Sequence, residues 1–183
     1  FRPLLEQFED RRMLATVTVN TTSDVNDGTT SSITALLTAP GADGVISLRE
    51  AIIAANNSAN VDGPDADSNP DPDLIAFNIP GGGVKTITPT TALPTVTQAV
   101  VIDGYTQPGA SPNTLVVGSD AVLLIELVGG VGPGNGLVIS ADNSTVRGLV
   151  INRFGSAAIQ LQSGGNTIEG NWLGIEEDGN TRR

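Results

Sequence analysis

The sequence predicts an all-β chain: a right-handed parallel β-helix wound from coils of about 22 residues, with one capping α-helix towards its N-terminus. Three observations carry that expectation. Thr145-Val146-Arg147-Gly148 returns as Thr167-Ile168-Glu169-Gly170, 22 positions later, and Gly136-Leu137-Val138-Ile139 returns as Ala158-Ile159-Gln160-Leu161 at the same offset. Ile102-Asp103-Gly104 precedes its match Val146-Arg147-Gly148 by 44 positions, two such periods. The chain also holds 22 Gly and 11 Pro between short runs of Val, Ile and Leu, with only 3% aromatic residues, so its core must be aliphatic and its turns frequent.

An antiparallel sandwich would account for strands and turns but not for two separate strands that share one period. A solenoid accounts for both, because each coil leaves an apolar side that only a neighbouring coil can bury, at a spacing of about 4.8 Å. The period places Ile102, Leu124, Val146 and Ile168 in one apolar column, Arg147 beside Glu169, and Trp172 one coil after Val150. Parallel crossovers are overwhelmingly right-handed, which sets the expected hand.

The elements follow in order. Residues 1–15 are set apart by Arg2, Arg11 and Arg12. Thr16-Val17-Thr18-Val19 alternates as a first strand should. The stretch 20–44 is rich in Thr, Ser, Asn, Asp and Gly and reads as an irregular edge, with a strand expected around 33–37. Ser47 followed by Glu50 has capping-box spacing, and Leu48, Ala51, Ile52 and Ala55 share a helical face. A helix is therefore expected over 47–57, placed to cover the open end of the coil stack. An acidic, proline-bearing loop occupies 60–73, which completes a cap region over 16–73. Apolar runs at 74–79, 84–88, 93–96 and 99–102 begin the coils, which continue to residue 183 without a recognisable terminal cap, as in part of a longer polypeptide.

Charge and composition exclude several functions. Nine basic against 20 acidic residues give a net charge of −11, the wrong sign for a nucleic-acid groove. With no Cys there are no disulfides or thiolate metal sites, and with no His the commonest general base and most zinc chemistry are gone. No stretch is long and apolar enough to span a membrane. No signal-peptide core is visible, and the chain opens with Phe1, so an export signal could lie upstream.

The remaining candidates are few. Asp65, Asp67, Asn69, Asp71 and Asp73 alternate in the acidic loop and could present oxygens to Ca²⁺, although the loop lacks the Gly and distal Glu of an EF-hand and also reads as plain solvated chain. Asp103, Glu126 and Glu169 are the carboxylates, and Arg147 the base, that a polysaccharide hydrolase or lyase would draw on. An outward ion pair explains Arg147 and Glu169 more simply. Tyr105 and Trp172, each single of its kind, could stack on sugar rings, and packing accounts for them equally well. Asn143, Asn152, Asn166 and Asn171 fit turns, with side chains bonded to backbone.

Several runs also resemble a known family. ISLREAIIAAN (46–56) is similar to the SLREA-type N-terminal segment of large bacterial surface proteins. VVIDGYTQPGASPNT (100–114), NGLVISADNSTVRGLVINRFGSAAIQL (135–161) and IEGNWLGIEEDGN (168–180) resemble that family's right-handed β-helix repeats. LLEQFEDRRMLA (4–15) is similar to an N-terminal motif of exported giant proteins of planctomycete bacteria, which implies an export or sorting role for 1–15. Where the family carries Cys or Thr before SLREA, this chain carries Ile46. The resemblance implies a secreted or cell-surface setting, a non-enzymatic structural or adhesion role and a polysaccharide or cell-surface partner. It brings no catalytic activity with it.

Overall fold

The computed structural model describes residues 15–59, 71–130, 134–176, 178, 179 and 181. It consists mostly of short strands in parallel sheets: β1 (Thr16–Val19), β2 (Asp73–Phe77), β3 (Lys85–Ile87), β4 (Val100–Asp103), β5 (Ile125–Val128), β6 (Leu137–Ile139), β7 (Thr145–Arg147), β8 (Leu149–Asn152), β9 (Ile159–Leu161), β10 (Thr167–Glu169) and β11 (Trp172–Leu173). Two helices, α1 (Ile33–Thr38) and α2 (Leu48–Asn56), lie between β1 and β2, and a 3₁₀ turn, Gly104–Thr106, follows β4.

The strands sort into three sheets. The first runs β1-β2-β4-β7-β10, the second β11-β8-β5-β3, and the third pairs β6 with β9. Every pairing between these strands is parallel. From β6 to β11 the chain visits the three sheets in rotation, and each return pairs a strand with the one 22 residues before it: Ile168 with Val146, Trp172 with Val150, Leu161 with Ile139. The expected alignments of Glu169 with Arg147 and of Trp172 with Val150 are therefore observed.

The inward positions build continuous apolar columns. Val17, Ile75, Ile102, Val146 and Ile168 follow one another across the first sheet. Ile87, Leu127, Ile151 and Leu173 do so across the second. The earlier members of each column are buried in a single core, whereas Leu173 is 45% exposed.

Three expectations are corrected. Leu124 is absent from the Ile102 column: Val146 pairs directly with Ile102, so one coil here spans 44 residues. Leu124 instead precedes β5, its carbonyl accepting from the Lys85 N–H in the second sheet. The surplus chain after β4 is extruded as a side excursion in which Ser111 and Val122 form an antiparallel bridge. The uniform period of about 22 thus holds only for the later coils.

Residues 33–37 are helical rather than extended. Ser32 caps the Ala35 N–H at 3.1 Å, and Ile33 and Leu36, one turn apart, are buried. The single capping helix is accordingly a packed pair, α1 against α2, with α2 also touching β1. Finally, of the Asn residues expected in turns, Asn152 lies at the end of β8, whereas Asn166 fits the expectation, donating to the Ser163 carbonyl three residues before it. Asn166 Oδ1 accepts from the Ser144 N–H, and Asn171 Oδ1 from the Leu149 N–H, each 22 residues away. Asn152 is buried and donates to Glu126 and to the Ile175 carbonyl.

The SLREA run explains how the cap is fixed. Ser47 and Glu50 form the expected capping box. Glu50 is 1% exposed, and its two oxygens accept from the Ser47 N–H and from the Asp27 and Gly28 N–H groups. Arg49 makes a two-pronged bond with Asp24 at 2.9 Å on each prong and donates to the Thr91 and Ala92 carbonyls. Burial tends to raise the Asp24 pKa, but the hydrogen bonds from Arg49 and Thr90 outweigh it and hold it below the usual carboxylate value.

Candidate functional site

The excursion after β4 has a consequence for the outer surface. The run Asp103-Gly104-Tyr105-Thr106-Gln107 turns the chain out of the first sheet and clamps it. Asp103 Oδ1 accepts from the Tyr105 N–H, Thr106 Oγ1 accepts from the Phe77 N–H, and the Gln107 amide bonds both ways to the Ile79 backbone. Gly104 lies so near the next coil that a Cβ there would come 2.1 Å from the Gly148 carbonyl oxygen.

Tyr105 is laid over the glycines that close the matching bends. Gly148 and Gly170 have φ of +73° and +59°, a backbone that side-chain-bearing residues avoid. A Cβ on Gly148 would come 2.9 Å from Tyr105 Cγ, and one on Gly170 would come 2.4 Å from Tyr105 Oη. The phenol donates to the Gly170 carbonyl at 2.8 Å. Burial, and then the negative charges of Asp103 and Glu169, push the Tyr105 pKa up, with Arg147 acting in the other direction.

A cavity of about 470 Å³ opens between this tyrosine and Trp172. That size suits a small organic ligand or part of a larger chain. Arg147, Glu169 and Asn171 also line it from the coils, while Pro112, Asn113, Ser119 and Ala121 form a wall supplied by the excursion. The wall is held by its own bonds, Thr114 to Asp120 and Asp120 to Asn113.

The electrostatics centre on one column, Asp103-Arg147-Glu169, on successive strands of the first sheet. Arg147 Nη2 donates to Asp103 at 2.7 Å, whereas its Nη1 stands 3.9 Å from Glu169, beyond hydrogen-bond length. Asp103 is buried and Glu169 exposed. Arg147 Nε is buried and has no partner among the described residues. The hydrogen bond to Asp103 raises the Arg147 pKa still further, so this guanidinium remains a cation throughout the working pH range.

The structure therefore gathers Tyr105, Arg147, Glu169 and Trp172 around one cavity, with Asp103 behind Arg147. Glu126 is not among them. It lies on the Thr86-Glu126-Val150-Trp172 line of the second sheet, buried, with its oxygens accepting from Thr86 and Asn152. Of the five acidic-loop positions, Asp65, Asp67 and Asn69 lie outside the described residues. Asp71 is half-buried, and Asp73 is buried at the start of β2. No cluster of three or more acidic groups that could hold a metal is found among the described residues. The excursion wall was missed from sequence. Its signal was the doubled period, with the turn-forming Ser-Pro-Asn and Gly-Ser-Asp runs at 111–113 and 118–120 inside it. No family model, curated protein or solved structure matches this chain.

Proposed function

We propose that this chain is a right-handed parallel β-helix module of an exported or cell-surface bacterial protein, and that it acts without catalysis as a rigid adhesion element that binds carbohydrate in the Tyr105–Trp172 cavity. The observation that carries this reading is the broken period. The later coils repeat every 22 residues, but the step from β4 to β7 takes 44, and the surplus chain forms a wall of the cavity that holds both candidate sugar-stacking rings. The right-handed hand is supported by the all-parallel pairing, since parallel crossovers rarely take the other hand.

A hydrolase or lyase fits the same residues less well. Asp103 and Glu169 sit two rungs apart, about 10 Å along the sheet, with Arg147 filling the space a nucleophilic water would need. Arg147 is held cationic by Asp103 and is no base for proton abstraction. The test is a glycan-binding screen with product analysis, on the wild type and Trp172→Ala. Binding is expected without new reducing or unsaturated ends, and Trp172→Ala should weaken it about tenfold or more. Released ends, or a Trp172→Ala protein that binds as well as the wild type, would overturn the reading.

A further inference from the structure

We infer that the cavity selects an uncharged pyranose with adjacent free hydroxyls and rejects uronic-acid sugars. The inference rests on the carbohydrate-binding reading and specifies its ligand class.

The argument starts from the gap between Arg147 and Glu169. At 3.9 Å the two groups attract but leave their facing hydrogen-bond sites unused. A hydroxyl fits that situation because it donates and accepts at once, donating to the carboxylate and accepting from the guanidinium. Two neighbouring hydroxyls of one ring can each engage one member of the pair. Asn171 has its amide spent on the Leu149 N–H and the Val146 carbonyl, and Asn113 has its amide spent within the wall, so Arg147, Glu169 and the Ser119 hydroxyl remain to meet a ligand's polar groups. Half-buried Tyr105 and Trp172 supply the apolar faces on which a sugar's C–H side packs.

Charge then decides between neutral and acidic sugars. Among the described residues, Arg147 is the one cationic side chain lining the cavity, and it already faces Asp103 and Glu169. These three groups sum to −1 in a chain that carries −11 in all. A uronate carboxylate reaching for Arg147 Nη1 would sit beside Glu169 and close to Asp103, and would meet the repulsion of both. A neutral ring meets no such repulsion.

The experiment titrates the intact chain with matched oligosaccharides of the same linkage, one neutral and one oxidised to the uronate, at low and high salt. The variant Glu169→Gln is titrated alongside. Its side chain is exposed, so the fold should tolerate the change, which far-UV circular dichroism checks. The neutral ligand should bind about tenfold tighter or more. Glu169→Gln or added salt should narrow that gap by improving uronate binding. If the fold signal of Glu169→Gln were lost, the salt series on the wild type would decide alone. Equal or tighter binding of the uronate would overturn the inference while leaving carbohydrate binding intact. Binding of neither would overturn both.

Discussion

Asp73 opens β2 with only 5% of its surface exposed, and its Oδ2 has no partner among the described residues. Burial pushes its pKa up to about 6, against a counteracting hydrogen bond from the Ala15 backbone. Below about pH 4 the group is neutral in both the folded and unfolded chain. Between pH 4 and 6 the unfolded chain ionises while the folded one resists, so stability falls as pH rises through that window, by at most roughly 3 kcal/mol. In Asp73→Asn this contribution is gone. The difference in Tm between the two proteins should therefore grow from pH 4 to 6 and then level off, and parallel Tm curves would refute the assignment. The bend glycines give a graded case. Gly170→Ala meets the left-handed backbone cost and the movable hydroxyl end of Tyr105, about 1–2 kcal/mol together. Gly148→Ala would also press its Cβ to 2.7 Å from the Tyr105 backbone nitrogen, which cannot swing aside, so about 3 kcal/mol is expected. Urea midpoints at constant m-value would rank the two.

Among the elements, α2 was legible and α1 was not, and the reason is local. Ser47, Glu50 and the Leu48-Ala51-Ile52-Ala55 stripe state a helix, its start and its buried face within nine residues. Ile33-Thr34-Ala35-Leu36-Leu37-Thr38 has β-branched residues, no acidic residue in its first turn and only six positions. Its helix is decided by packing against α2, which no window of that length can reveal. The cap also distributes its stability unevenly. Ser47→Ala removes one capping acceptor and the hydroxyl's bond to the Val25 carbonyl, worth about 1–2 kcal/mol together. Glu50→Gln would turn an amide towards buried N–H donors that now share two carboxylate oxygens, leaving at least one without an acceptor. Glu50→Gln is thus expected to cost about 2–3 kcal/mol, more than Ser47→Ala, although its change is the smaller in volume. The reverse order in denaturant unfolding would mean that Glu50 matters only as a helix cap.

At the scale of the whole molecule, the regular coils could be read because Thr-x-x-Gly recurs on a fixed period, and a strand slipped by one would turn its apolar residues outward. The doubled coil could not. The run Ala121-Val122-Leu123-Leu124-Ile125 is apolar throughout and reads equally well in any register. Its true register is fixed by Ile125 pairing with Lys85 in another sheet, a contact 40 residues away. The cavity inherits that obscurity, since one wall exists only because the extra chain was pushed outward. That wall should also be separable from the fold. Its tip exposes Leu115, Val116 and Val117 to solvent, and Ser111 and Val122 at its base already face each other across an antiparallel bridge. Replacing 112–121 with a two-residue Asn-Gly turn would keep that bridge and shorten a loop whose removal frees little buried apolar area. Stability is expected to change by less than about 1 kcal/mol in either direction. Glycan binding, by contrast, should fall about tenfold or more, because Pro112, Asn113, Ser119 and Ala121 leave the cavity together. A shortened chain that unfolds would mean the excursion supports the coils. One that folds and still binds would place the ligand elsewhere on the stack.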